Sequence, residues 1–348
     1  MLRSSMVHRP VTMREVARRA GVHPATVSRA LRNDPRITPA QRALVRRVAA
    51  ELGYRANPLI AALMSARRAG RPPTYQATFA FVSKYPAPQA AKFRRDYGDL
   101  LSGARQRALS QGFRLEEFNL HDPSLTARRA TTILQSRGIQ GLILAPLHSV
   151  RDTLELDWSQ FSSVAVGYSV TQVGINRVAH NHFSGLLLAA RHCRAAGRRR
   201  LGLVLQRRVD EKVERRWTAA MLLDQSLAPT GDAVPPLLLE APDSATLQRW
   251  FRRHRPDAIL GLDIPQLLEW LRHLGCAVPH DVAVVSLDRR PGDRGIAGIR
   301  QDYATIGAHA VDLLVGLIHR NEIGLPRTPS TLLTDGQWQP GRTLDAAR

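Results

Sequence analysis

Arginine supplies nearly all the cationic chemistry available to this sequence. Of its 50 basic residues only Lys84, Lys92 and Lys212 are lysine, and the 348-residue chain carries a formal net charge of +21. Residues 1–75 hold 15 arginines against Glu15, Asp34 and Glu51, a net of +12, so more than half of the excess lies in about a fifth of the chain. A guanidinium is a planar fork of donors that fits phosphate and the O6/N7 edge of guanine. An arginine- and alanine-rich composition alone would equally reflect a GC-rich genome; the clustering is what points to nucleic acid.

Other reactive residues lead elsewhere. His180 and His182 stand one residue apart, but a zinc site needs further ligands in a closed geometry, and no partner cluster follows in the sequence. A loop or helix-start role is expected for both, with no metal and no cofactor. Cys193 and Cys276, 83 positions apart and without a C-x-x-C, read as core thiols in a reducing compartment. The sequence contains no dinucleotide fingerprint, Walker loop, nucleophile elbow or H-E-x-x-H pair. No catalytic residue is expected. The N-terminus lacks an apolar signal core and no stretch reaches about 18 apolar residues, so a cytoplasmic protein without membrane contact is expected. The arginine run at Arg198 reads as a solvated turn before a strand.

The elements that must position the arginines are legible in the punctuation. Thr12 with Glu15 forms a capping box, after which Met13, Val16, Ala17 and Ala20 share one helix face. Gly21 supplies a positive φ for the stop. Pro24 suits the first position of a second helix, which buries Val27, Ala30 and Leu31 and shows Ala25, Ser28, Arg29 and Arg32. Thr38, Pro39 and Gln41 repeat the start signal for a third helix with the stripe Val45, Val48, Ala49 and Leu52. Three short helices with a tight turn between the first two make a helix-turn-helix, whose second helix enters the major groove. Beyond it Asn57 caps a helix of about nine residues opened by Pro58, too short to stand alone. From "ATFAFVSKY" onward apolar runs ("FRLEEF", "QGLILAP", "SSVAVGY", "RLGLVL", "PLLLE", "DAILGL", "DVAVVSL") alternate with helix-length stretches. That alternation predicts about ten strands in two doubly wound parallel sheets, with a compositional break between Tyr168 and His182. Ligands of such sheets bind at the carboxyl ends of the strands, here in a cleft between lobes.

The segments "TMREVARRAGVHPATVSRAL" and "RALVRRVAAELGYRANP" closely resemble the opening of the lactose-repressor (LacI/GalR) family of transcription factors, over about 55 residues. The resemblance implies an N-terminal all-α helix-turn-helix with a hinge helix, followed by an α/β core of two lobes like the periplasmic sugar-binding proteins. The implied division is 10–55 for the reading head, 56–66 for the hinge helix and 67–77 for a linker. The first lobe would be 78–178 with 303–321, and the second 179–302 with 322–340, the chain passing between them three times. Pro24 and Ala25 then match the positions that vary with operator sequence, and Arg29 a base-contacting arginine. Ser28, Arg32 and the Thr12 hydroxyl fall to phosphate contacts. His23 stands where the family has a capping Ser, a departure that leaves helix initiation to Pro24 and frees the imidazole to approach phosphate. Asn57 opens the hinge helix and Leu63 matches its minor-groove wedge, although Ile60 and Ala61 replace the usual Ala and Arg.

In the core the resemblance assigns effector contacts to Arg216, Asp263, Asp288 and Gln301. Arg216 also reads as a surface arginine, and Asp263 as the N-cap of a helix starting at Ile264. The second lobe begins "VAHNHF" where the family reads "V-x-x-D-N". Tyr97 and Trp217 are candidates to stack on a sugar ring, or else core or surface residues. The partners implied are an operator duplex, a small-molecule, sugar-like effector and a second copy of the chain. A tetramer is disfavoured because the tail after Asp335 carries no leucine heptad. Two rival classes remain, a ligand-insensitive DNA-organising protein and an enzyme with a DNA-binding appendage. Leu63→Ala is expected to weaken binding to a selected operator with little change in thermal stability; unchanged operator affinity would refute the hinge assignment.

Overall fold

In the computed structural model, residues 13–31, 34–52, 54, 77–122, 124–229 and 231–344 are described, 87–96 by their backbone alone. Three short helices come first: α1 (Met13–Ala20), α2 (Pro24–Leu31) and α3 (Pro39–Glu51). Val16, Ala17, Val27, Ala30, Ile37, Val45, Val48 and Ala49 close their shared core, and Leu31 and Leu52 pack on its edge. Gly21 takes φ +64° where α1 ends, and the Val22 N–H returns to the Ala17 carbonyl at 3.0 Å. Thr38 caps α3 by accepting the Gln41 N–H at 3.3 Å.

Two six-stranded sheets form the rest. The first contains β1 (Ala77–Ser83), β2 (Phe113–Asn119), β3 (Gly141–Leu144), β4 (Ser162–Val166), β5 (Arg177–His180) and β11 (Thr331–Thr334) in the order β2-β1-β3-β4-β5-β11. The second contains β6 (Leu201–Gln206), β7 (Leu237–Leu239), β8 (Ala258–Gly261), β9 (Ala283–Ser286), β10 (Ala297–Arg300) and β12 (Gln337–Gln339) in the order β7-β6-β8-β9-β10-β12. All pairings are parallel except β10 with β12. Central strands such as β3, β8 and β9 are buried throughout, as continuous apolar runs covered by helices on both faces must be. Those helices are α4 (Ala87–Ser110), α5 (Ala127–Ser136), α6 (His182–Ala195), α7 (Arg207–Glu211), α8 (Arg216–Ser226), α9 (Ser244–His254), α10 (Ile264–His273) and α11 (Tyr303–His319).

Helix α11 returns to the first lobe and packs along α4. Their contact is so close that a Cβ on Gly307 would strike the Leu100 carbonyl oxygen, and one on Gly103 the backbone of Ala304. The final crossing comes later than expected. Residues 322–340 do not belong wholly to the second lobe: β11 pairs with β5 in the first sheet, and only β12 joins the second. The first sheet likewise runs on through β5 to His180, past the expected boundary at 178. Four-residue strands reading "RVAH" and "TLLT" carry too little apolar pattern to reveal their sheet. The tail finds an unexpected place as well, with Trp338 of β12 stacked on His192 at 4.2 Å.

The arginine run at Arg198 is not a merely solvated turn. Arg198 donates to the Pro279 carbonyl and Arg200 to the His254 carbonyl, each at 2.6 Å, while Arg199 pairs with Asp232 at 3.1 Å. Three guanidiniums thus tie loops of the second lobe together. Cys193 is buried, as expected, and burial pushes its thiol up to about 12, which makes it inert. Cys276 is half-buried. No described helix is long and apolar enough to cross a membrane.

Candidate functional site

The reading head presents α2 as the sequence requires. Val27 and Ala30 face the core, Ala25 and Arg29 are exposed, and Pro24 and Ser28 are half-buried on the same side. The His23 imidazole does act as a cap: its Nδ1 accepts the Ala25 N–H at 3.2 Å, and its carbonyl accepts the Thr26 N–H at 2.8 Å. The substitution of His for a hydroxyl at this position therefore keeps one of the orphan donors satisfied. Asp34 pairs with Arg36 at 2.7 Å, and that guanidinium holds its carboxyl well below the usual range. The remaining expected contacts, Thr12, Arg32, Asn57 and Leu63, lie outside the described residues.

A cavity of about 480 Å³ opens between the two sheets, at the carboxyl ends of their strands. Three of the four expected effector residues line it: Asp263, Asp288 and Gln301. Asp263 stands at the N-cap position of α10, yet its side chain makes no capping hydrogen bond and is exposed, so the carboxylate is available to the cavity. Asp288 follows β9. Its Oδ2 accepts the Tyr303 O–H at 2.8 Å and the Arg290 guanidinium at 2.7 Å, while its Oδ1 is buried without a partner. Burial raises the Asp288 pKa against the pull of Arg290. Gln301 is buried and donates to the Leu287 carbonyl at 3.3 Å, which fixes its amide in the wall.

Arg216 stands at the first position of α8, after Glu214 and Arg215 in left-handed backbone at φ 55° and 57°. Such conformations cost about 1–3 kcal/mol each in non-glycine residues. The turn aims Arg216 at Tyr168, whose ring its guanidinium overlies at 4.2 Å, and it pairs with Glu214 at 2.6 Å. It meets the cavity through Tyr168, which lines it.

An aromatic wall completes the cleft. Trp217 lies edge-on to His182 at 4.5 Å, and His182 to His180 at 4.9 Å. His182 opens α6 behind the Asn181 cap, as a helix-start residue, but both imidazoles are buried and both line the cavity. Both nitrogens of His180 and the Nδ1 of His182 lack hydrogen-bond partners, although the Thr334 backbone lies toward His180. Burial lowers His180 to about 4 and His182 well below its ordinary value, so each ring is neutral and can donate and accept. Among the described residues no group of three or more His, Cys, Asp or Glu could hold a metal. Sequence reasoning did not place Tyr168, His180, His182, Arg290 or Tyr303 in the cleft; the one available signal was the departure "VAHNHF". Tyr97 and Trp217, left open between stacking and a core or surface role, both line the cavity, with Trp217 also packed in the core of the second lobe.

A histidine with a lowered folded pKa binds fewer protons folded than unfolded between the two values. Its stabilising contribution is complete above about 6.5 and is lost as pH falls toward 4, whereas Asp288, raised, acts in the opposite sense. His180→Gln is therefore expected to flatten the fall in urea midpoint between about pH 6.5 and 4; a slope equal to the parent's would contradict a buried neutral imidazole.

Residues 12–57 match the family described as bacterial regulatory proteins, lacI family, and residues 190–337 the periplasmic binding protein-like domain. A curated relative, the HTH-type transcriptional regulator GntR of Pseudomonas aeruginosa, is 30% identical over 334 residues, covering 90% of each chain. Among solved structures, a complex of the transcriptional regulator CelR with cellobiose superposes with a TM-score of 0.58 at 20% identity, over 96% of this chain and 99% of that one. A lac repressor dimer bound to operator and the anti-inducer ONPF gives 0.53 at 20% identity over 97% and 100%. A LacI-family regulator of Enterococcus faecium with bound ribose gives 0.57 at 15% identity over 78% and 100%.

Proposed function

The chain belongs to the LacI family of bacterial regulatory proteins, and we propose from that premise that it is a ligand-gated repressor. It is a DNA-binding transcriptional regulator and not an enzyme. In the proposed reading a homodimer in the cytoplasm binds a near-palindromic operator, and a sugar-like effector binds between the lobes. The observation that carries the reading is the cleft itself: Tyr97, Tyr168 and Trp217 in its wall beside the free carboxylate of Asp263 and the anchored polar groups of Asp288 and Gln301. Flat apolar faces with a few convergent acceptors and donors suit a polyhydroxylated ring. Relatives solved with cellobiose and with ribose, and one solved as an operator-bound dimer, support the ligand class and the assembly.

On the duplex, Arg29 reads guanine and Ala25 with Pro24 offers apolar contact, for example to a thymine methyl. Thr12, His23, Ser28 and Arg32 set register on phosphate, and Leu63 from the hinge helix begun at Asn57 wedges a flexible central step. The proposed units are the reading head 10–55, hinge 56–66, linker 67–77 and two lobes, with the last change of lobe at Asp335. Effector binding changes the spacing of the two first lobes in the dimer, and so of the two reading heads. By linkage the operator must alter effector affinity by the same factor.

Selection of sites from a random duplex pool by the purified protein tests the reading. A near-palindrome with a pyrimidine-purine step at its centre is expected, and Arg29→Ala is expected to cost about 1–3 kcal/mol at the guanine it reads, relaxing specificity there alone. Retention of any duplex at low salt with no enriched motif would overturn it.

A further inference from the structure

Two arginines of the second lobe rest on tyrosine rings that line the cleft. Arg216 lies over Tyr168, which follows β4 but packs in the same core as Trp217, so this contact stays on the second lobe's side. Arg290, in the turn after β9, lies 4.5 Å over the Tyr303 ring and 5.5 Å over the Tyr97 ring, and donates to the Tyr303 hydroxyl at 3.2 Å. Tyr303 and Tyr97 pack on the core of the first lobe, and their rings meet edge to face at 5.4 Å. Tyr97 reaches this position because α4 breaks there: its φ of −126° and ψ of 19° are not helical.

The arrangement is built rather than incidental. Asp288 holds the Arg290 guanidinium from below at 2.7 Å, and the Arg290 N–H donates to Asp293 at 2.8 Å, which fixes the turn. The Arg290 side chain is only 32% exposed and that of Asp288 12%. Tyr303 sits beside a crossing segment and stays near Arg290 at any small opening. Tyr97 is carried by α4, which is not itself one of the three crossing segments, so its contact with Arg290 joins the lobes without passing along the chain that crosses between them.

We propose that the contacts of Arg290 with Tyr97 and Tyr303 form a clasp that holds the lobes together across the cleft with no ligand bound, with Arg290 as its positioning residue. The regulatory meaning rests on the cleft being the gated site. A ligand that donates to Oδ2 of Asp288 competes with Arg290 for the oxygen that anchors it, so occupying the cleft redistributes the clasp as well as filling the space.

Amide hydrogen exchange of the full-length, ligand-free protein tests this without effector or DNA. In Tyr97→Leu, which leaves the Asp288–Arg290 pair intact, amides at 166–169, 261–263 and 301–303 are expected to lose about 2- to 30-fold in protection, the range one cation–ring contact supplies. Arg290→Gln is expected to do the same, and Tyr97→Phe, which keeps the ring, to retain the parent's protection. Unchanged exchange at these segments in Tyr97→Leu would overturn the clasp, and so would a uniform rise across both lobes, which marks loss of packing alone. A failure here leaves ligand gating standing, and a protein with no effector leaves the clasp standing.

Discussion

Three short segments carry the chain between its lobes, and the rest of the molecule is organised by where they fall. The first follows β5 at Asn181, the second follows β10 at Gln301 and Asp302, and the third follows β11 at Asp335 and Gly336. The first and third are bound to each other: the Asn181 N–H donates to the Thr334 carbonyl at 2.9 Å and its side-chain amide to Asp335 at 2.8 Å. Space there is so restricted that a Cβ on Gly336 would meet Ile299 and His180. A parallel strand ends at each crossing, so the carboxyl edges of both sheets face one another. The cleft is a consequence of that topology, as ligand sites at the switch points of α/β sheets generally are.

The same constraint explains the chemistry of the wall. Residues beside a crossing must be compact and largely buried, and they sit where a ligand would lie. His180 and His182 flank the Asn181 crossing, and Asp288, Gln301 and Tyr303 flank the second. Burial there keeps the imidazoles neutral and raises the Asp288 carboxyl. Polar groups with unused hydrogen-bonding capacity in such a site have a cost that a ligand can relieve.

Much of this was legible in the residues. The three helices of the reading head announced themselves through Thr38, Gly21 and Pro24, because caps and stops act over three or four residues and need no tertiary context. Buried strands of the two sheets were equally plain, since "GLILAP" and "DVAVVSL" are covered on both faces. The short strands β5, β10, β11 and β12 were not: three or four residues such as "AGIR" or "QWQ" are held by their neighbours' backbone rather than by their own pattern. Asp263 and Asp288 could be placed because each ends an apolar run. The contact of Arg290 with Tyr97 could not, because it spans separate lobes and depends on a break in α4 that no local signal marks.

The proposed linkage between the cleft and the reading head is best measured as a reciprocity. The Kd of the selected operator would be determined with and without each of a panel of mono- and disaccharides, and the Kd of any active sugar with and without operator. The account predicts at least one sugar that shifts operator affinity by about 5- to 150-fold, with the operator shifting that sugar's affinity by the same factor. A sugar that fills the cleft and leaves the operator Kd unmoved would contradict it.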